Sequence, residues 1–216
     1  MLTFVAFTSC LFVSALLFGG TAWTSRLKSP LLLGLTAVAI AGYSAVLIIR
    51  PAGVVLPNVS VFVASLFLGS ALGLLLKNLP SVVSFCIAAS VADIISYNSG
   101  ATARINEAFQ SGASNLLPYL CISLPVDDRI RPIVGIGDLF IIAAIYFAFH
   151  RLGHRSVLSF MAPIAGLGLA LVVGLITGGV FAVPFIAGTT VIYLWYAGKQ
   201  SLGASENIDV PPTLAP

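Results

Sequence analysis

Charged residues are scarce in this chain. Asp, Glu, Lys and Arg make up 8% of its 216 residues, whereas 59% are hydrophobic and the mean hydropathy is +1.08. So few charged side chains cannot cover a water-soluble core of this apolar content. The shortage therefore excludes a soluble globular domain and predicts a multi-pass membrane protein. The net charge of +3 does not indicate a nucleic-acid partner, because the basic residues stand singly between apolar runs.

Potential metal ligands and nucleophiles are also few. The cysteines show no paired or metal-ligand spacing, and they are Cys10, Cys86 and Cys121. His150 and His154 stand beside Arg151 and Arg155, a pattern typical of a basic cluster at a helix end. The sequence has no HExxH motif, phosphate-binding loop or dinucleotide fingerprint, and no Ser or Cys has a matching His. We therefore expect no metal and no cofactor.

Apolar runs long enough to cross a bilayer dominate the chain. Charges, prolines and glycines separate them, and they cover residues 2–23, 30–49, 57–76, 80–97, 132–150, 157–177 and 180–198. The first run is too long for a signal-peptide core and has no basic residue before it, so it is interpreted as a spanning helix. The predicted fold is all-α, with about seven spanning helices in one domain over residues 1–198. The polar, proline-rich tail 199–216 is predicted to be disordered.

The distribution of Lys and Arg favours an N-terminus outside and a C-terminus in the cytoplasm. The inner segments would then carry Arg26, Lys28, Lys77, Arg151, Arg155 and Lys199, and the outer segments Arg50, Arg104, Arg129 and Arg131.

The long connection 98–131 would lie outside. In its first part apolar residues recur at helical spacing, which predicts a helix at the membrane interface. Its second part is interrupted by Pro118, Pro125 and Pro132, which predicts extended or turned backbone.

Two acidic residues stand inside predicted spanning helices, where a carboxylate is costly unless it is compensated. Asp93 precedes the outer end of its helix, and Asp138 follows the outer start of the next. Because these helices run antiparallel, both carboxyls are predicted at similar depth. Two carboxyls that meet in a low dielectric share a proton. A carboxylate beside a carboxylic acid can activate water and protonate a carbonyl oxygen, as peptide hydrolysis requires.

The neighbouring residues are compatible with such chemistry, but two other interpretations remain. Gly135 and Gly137 leave room for a substrate backbone beside Asp138, and Tyr97 lies one turn beyond Asp93. Alternatively, the acids are packing groups bonded to Ser, Thr or Tyr, or they serve a proton- or ion-coupled transporter. The small-xxx-small run "GSALG" at 69–73 indicates close helix packing.

The run "GIGD" at 135–138 resembles the Gly-x-Gly-Asp signature of the intramembrane aspartyl proteases, which include presenilins, signal peptide peptidases and archaeal homologues. The order of parts is also similar, with Asp93 in the preceding helix and a proline opening the last span. The resemblance covers roughly residues 80–198. It implies a presenilin-like core with Asp93 and Asp138 as the catalytic dyad. Next to the site, the family's Pro-Ala-Leu motif would be replaced by Pro184, Phe185 and Ile186.

The resemblance implies an endopeptidase that cuts transmembrane or signal-peptide helices. Residues 118–132 would help to bind the substrate as an added strand. The chain departs from the family at Ala92, where Tyr is usual, in keeping only the proline of Pro-Ala-Leu, and in having two fewer helices. An inactive protease-like scaffold is therefore a further alternative. The expected partners are a transmembrane helical peptide substrate and the lipid bilayer, with a homo-oligomer left open and no nucleic acid.

Overall fold

The computed structural model describes residues 2–51, 53–112, 116–126, 129–177 and 182–206, which are mostly helical. The long helices are α1 (Leu2–Thr24), α2 (Ser29–Ile49), α3 (Val55–Gly73), α4 (Leu79–Ser99), α7 (Ile136–Arg151), α8 (Val157–Thr177) and α9 (Val183–Glu206). Between α4 and α7 lie the shorter helices α5 (Ala101–Gln110) and α6 (Leu117–Leu120) and the strands β1 (Cys121–Val126) and β2 (Arg129–Gly135).

Within the described residues, five helices are long and apolar enough to cross a membrane, namely α1, α2, α3, α4 and α8. Their outward faces carry exposed apolar residues, such as Ile48, which is 82% exposed, and Ile176, which is 79% exposed. Surfaces of this kind suit lipid rather than water. The chain is therefore a multi-pass helical membrane protein. Helix α9 contains a shorter apolar segment, Val183–Gly198, and α7 has 16 residues, so the count of seven spans stays a prediction.

Helix α7 forms the centre of the bundle. Every residue from Ile141 to His150 is buried, as expected for a helix that is apolar on all sides. The closest neighbour of α7 is α3, and the "GSALG" run lies at their contact. A Cβ atom added at Gly69 would lie 2.6 Å from Ala143 Cβ, and one added at Gly73 would lie 2.7 Å from a ring carbon of Phe147. The predicted close helix packing at this run is confirmed.

The start of α7 differs from the prediction. Residues 132–135, predicted as helix, belong to β2, which pairs antiparallel with β1, with Cys121 opposite Gly135. Pro132 lies in this strand opposite Ser123, and helical backbone is disfavoured for the residue before a proline. The all-α prediction therefore missed a two-stranded hairpin. The prediction of extended or turned backbone in the second part of the 98–131 connection is confirmed for β1, but it is wrong for Leu117–Leu120, which form the short helix α6. Asp138 consequently lies in the first turn of α7.

A side chain from α3 anchors the hairpin. Asn58 Nδ2 donates to Ser123 O at 2.7 Å, and Ser123 N donates to Asn58 Oδ1 at 2.8 Å. An isolated two-stranded hairpin is only marginally stable in water. The Asn58 amide pairs with the outer edge of β1 as a neighbouring strand would, and it thereby ties the hairpin to the bundle.

The remaining boundaries also refine the prediction. Within the 98–131 connection, the predicted helix is present as α5, Ala101–Gln110. Helix α9 begins at Val183 rather than at 180, and it continues to Glu206. Residues 199–206 are therefore helical, and the prediction that they are disordered is wrong. No proline interrupts the chain between 185 and 210, which permits this extension. The predicted turn at Gly178 and Gly179, and the tail 207–216, lie outside the described residues.

Candidate active site

The two intrahelical acids, Asp93 and Asp138, lie near each other at one end of the bundle. This end, called the hairpin end below, contains the β1–β2 hairpin, the last turns of α4 and the starts of α7 and α9. Asp93 lies in the last turns of α4, and Asp138 is the third residue of α7. The two carboxyl groups are within range of direct electrostatic interaction, and both side chains are partly buried. The tertiary structure thus brings together the two acids that the sequence singled out.

Asp138 is held by the backbone at the start of its own helix. Gly135 N donates to Asp138 Oδ2 at 3.3 Å. A carboxylate suits this place because the first N–H groups of a helix lack intrahelical partners and carry partial positive charge. A Cβ atom added at Gly135 would lie 3.3 Å from Asp138 Oδ2, whereas one added at Gly137 would meet no other atom within 4 Å. Gly135 therefore leaves room for the carboxyl, and Gly137 leaves open space next to it.

Asp93 is held by a different helix. Val183 N, the first backbone N–H of α9, donates to Asp93 Oδ2 at 3.1 Å. This bond satisfies one of the unpartnered donors of the α9 N-terminus and places negative charge at its positive end. Helix α4 packs mainly on α9, so the contact lies at the end of a continuous helix–helix interface.

The segment predicted to border the site lies directly after this contact. Pro184 is the second residue of α9, a position where proline costs no hydrogen bond. Ile186 is fully buried, while Pro184 and Phe185 are partly buried. Gly166 of α8 fixes the position of this segment, since a Cβ atom added there would lie 2.6 Å from Ile186 N. The start of α9 is therefore held between Asp93 on one side and α8 on the other.

Two thiols lie in the surroundings of Asp138. Cys10 of α1 and Cys121 of β1 are both within electrostatic range of its carboxyl. Burial, with a smaller effect of the Asp138 charge, raises the pKa of the Cys121 thiol to about 12. Cys121 therefore stays protonated at neutral pH and lacks the thiolate that a cysteine nucleophile requires.

Some parts of the site could not be identified from the sequence. The donors to both carboxyls are backbone N–H groups, those of Val183 and Gly135, which any residue except proline supplies. The sequence offered one indication of the Val183 donor. Pro184 marks the start of a helix, where backbone N–H groups lack intrahelical partners. Tyr97 lies one turn beyond Asp93 on α4, and its hydrogen bond to that carboxyl stays a prediction.

No family model, curated protein or solved structure matches this chain.

Proposed function

We propose that this protein is an intramembrane aspartyl endopeptidase that hydrolyses peptide bonds within transmembrane or signal-peptide helices. The observation that carries the proposal is the proximity of Asp93 and Asp138 at one end of an apolar bundle, where each accepts a hydrogen bond from a backbone N–H. Carboxyls that serve only as packing groups would be expected to bond to hydroxyl or amide side chains, which serve this purpose at lower cost.

In the proposed mechanism, the pair holds one proton between its two carboxyls. The carboxylate removes a proton from water as the water oxygen attacks the substrate carbonyl carbon. The carboxylic acid at the same time donates its proton to the carbonyl oxygen, which gives a tetrahedral diol. Transfer of a proton to the amide nitrogen and cleavage of the C–N bond then release a carboxylic acid and an amine. The backbone hydrogen bonds from Gly135 and Val183 both go to Oδ2, so Oδ1 of each carboxyl can face the reactants.

The short length of α7 supports access of water to the pair. With 16 residues, α7 is about 24 Å long, which is less than the roughly 30 Å of the hydrocarbon core. If its far end lies at one membrane surface, Asp138 lies below the other surface. We propose that Asp138 lies near the outer membrane surface and that the C-terminus is cytoplasmic. We also propose that the bundle has seven spans and a presenilin-like core.

The β1–β2 hairpin supports binding of an extended substrate. A helical peptide bond is shielded by its own hydrogen bonds and side chains, so the substrate helix must unwind before cleavage. An unwound segment can add as a strand to a free sheet edge. Asn58 occupies the outer edge of β1 at Ser123, which makes β2 the edge for addition. Strand β2 runs directly into "GIGD", so a strand paired with it would lead toward Gly137 and Asp138.

Cleavage in proteoliposomes tests the proposal against the alternatives. Purified protein is reconstituted with a reporter that carries one transmembrane segment, and both the reporter fragments and the proton or ion flux are measured. We expect cleavage inside the membrane segment, located by mass spectrometry, without flux. Flux without cleavage would instead support the transporter, and neither cleavage nor flux, for a range of membrane segments, would support the inactive scaffold.

The bond between Asp93 and Val183 gives a second prediction. Val183→Pro removes the donated N–H but keeps α9, because proline is well accommodated at the first helical position. Asp93 then loses a charge-assisted hydrogen bond that fixes its orientation, so we expect kcat for the reporter to fall about tenfold. KM should change little, since Val183 N contacts the carboxyl rather than the substrate.

Val183→Ala is the matched control. It removes most of the same buried side chain but keeps the N–H, and it should retain most of the activity. The Asp93 bond would have no role in activity if the proline and alanine variants cut the reporter at the same rate.

A further inference from the structure

Two adjoining cavities lie at the end of the bundle opposite the hairpin, where α1 ends and the α7–α8 connection turns. The first, of about 200 Å³, is lined by Phe18, Ala22, Ser25, Arg26, His150 and Arg155. The second, of about 210 Å³, is lined by Ala15, Phe18, Arg155, Ser156, Val157 and Phe160. They share Phe18 and Arg155, so the pair forms one cleft with a basic arm and an apolar arm. Neither arm belongs to the candidate active site.

The basic arm carries two arginines and no acidic residue. Within the described part of the chain, neither guanidinium forms an ion pair, and Arg155 Nη2 donates a long hydrogen bond to His150 O at 3.5 Å. Of the acids with described side chains, Asp93 and Asp138 lie at the hairpin end, and Glu107 lies on α5, which directly follows α4 there. Most of the N–H donors of both arginines therefore remain available. Guanidinium groups suit phosphate because their planar donors can bond two of its oxygens at once.

The floor of the cleft is closely packed and hydrogen-bonded. His150 Nε2 donates to Phe18 O at 3.0 Å, and the two rings have centroids 4.5 Å apart. Phe18 also packs on Phe160, with ring centroids 5.1 Å apart, while Tyr146 OH donates to Phe160 O at 2.9 Å. These contacts join α1, α7 and α8 beneath the cleft. A ligand would therefore meet a preformed surface and order few side chains on binding.

The apolar arm indicates that the anion carries a hydrophobic chain. It continues from Arg155 along the groove between α1 and α8, where Val157 is 72% exposed and Phe160 is partly buried. This groove faces the side where lipid chains lie, and the arginines lie just beyond the helix ends, where headgroups lie. An inorganic anion has no apolar part that could bind in such a groove. An acyl chain can bind there, because burial of its apolar surface is favourable.

We propose that this cleft is a binding site for one anionic phospholipid. Arg26 and Arg155 hold its phosphate, and an acyl chain lies in the groove over Ala15, Val157 and Phe160. The lipid would link the end of α1 to the start of α8 at the bundle end that carries the excess of basic residues. This site is independent of the proposed peptidase activity.

Lipid binding to the purified full-length protein tests the proposal. Native mass spectrometry would compare phosphatidylglycerol with phosphatidylcholine, and glycerol phosphate would serve as a soluble headgroup probe. We expect phosphatidylglycerol to bind roughly tenfold more tightly than phosphatidylcholine, because the second lipid carries a cationic group beside its phosphate. Arg26→Gln with Arg155→Gln should remove this preference. Ala15→Trp, which fills the groove, should weaken lipid binding.

The matched control is Lys77→Gln with Arg151→Gln, which removes two exposed charges at the same end without touching the cleft. It should keep the preference for phosphatidylglycerol. An equal loss in the control and the cleft variant would overturn the proposal in favour of diffuse surface charge. Glycerol phosphate binding as tightly as the lipid would overturn it in favour of a free-phosphate site. Unchanged lipid binding in both Ala15→Trp and the double arginine variant would also overturn it.

Discussion

Replacing Asp138 with asparagine lowers the expected rate of reporter cleavage by at least about 10²-fold, because asparagine can neither accept the proton of water nor donate one to a carbonyl. The same result is expected for Asp93→Asn. Since both carboxyls act in one step, the double variant should be little worse than either single one. Cleavage of a membrane-embedded reporter in proteoliposomes, followed over time, measures all three.

Substitution by asparagine at position 93 or 138 distinguishes a loss of catalysis from a loss of stability. Its side-chain oxygen can still accept the N–H of Gly135 at position 138 and the N–H of Val183 at position 93. Asparagine is also favourable at helix N-termini. The variants should therefore keep the thermal unfolding temperature of the parent within a few degrees, while the alanine variants, also expected to be inactive, lose these bonds.

Glu107→Gln is the control for charge. Glu107 is an exposed acid on α5 and is neither of the two proposed catalytic acids, so its variant should cleave at the parent rate. If Asp138→Asn or Asp93→Asn cuts as fast as Glu107→Gln, the proposed mechanism is wrong. If both asparagine variants fold but lose proton flux instead, the two acids serve transport.

The second large effect concerns the contact between α3 and α7. Gly69→Ala places a methyl group against Phe140 O and 2.6 Å from Ala143 Cβ. Neither neighbour can turn away, since one is backbone and the other a Cβ atom in a helix buried on all sides. Overpacking of this kind typically costs 1–3 kcal/mol, and we expect a loss of about 2 kcal/mol or more in the free energy of unfolding.

Gly34→Ala on α2 is the matched control for Gly69→Ala. A Cβ atom added at Gly34 would meet nothing within 4 Å. The intrinsic helix preference then favours alanine by up to about 1 kcal/mol. The same substitution should therefore destabilise at position 69 and be neutral or stabilising at position 34, as measured by unfolding of the detergent-solubilised protein. Equal stability of the two variants would show that α3 and α7 are less closely packed than described.

Displacement of α7 should also affect the site. Asp138 precedes the contact by less than one turn, because Phe140 lies only two residues further along the same helix. Gly69→Ala is therefore expected to lower cleavage even in the fraction of the protein that remains folded, whereas Gly34→Ala should leave it unchanged.

The positions of the long helices followed from the sequence because a bilayer imposes a simple requirement. A backbone that crosses the hydrocarbon core must satisfy its own hydrogen bonds, and about 20 apolar residues in a helix do so. The predicted run 2–23 became α1, Leu2–Thr24, and the run 157–177 became α8, Val157–Thr177. Asp93 and Asp138 stood out for the same reason, since these runs contain no other Asp, Glu, Lys or Arg.

The β1–β2 hairpin depended on tertiary structure. Residues 132–135 are apolar enough to continue a helix, but their backbone pairs with β1, and β1 is in turn fixed by Asn58 of α3. The contact between Asn58 and Ser123, which are 65 residues apart in the sequence, has no local signal. The end of α9 beyond 198 was missed for a different reason, because polar composition alone does not exclude a helix.

By itself the sequence determined that this chain is a helical membrane protein with two costly acids and "GIGD" at 135–138. Only the tertiary structure decided that these acids meet at one end of the bundle. It also decided how each acid is held, Asp138 by Gly135 and Asp93 by Val183 at the start of another helix. Backbone donors are the same for nearly every residue type, so only the packing of α4 on α9 could decide which donor Asp93 would reach.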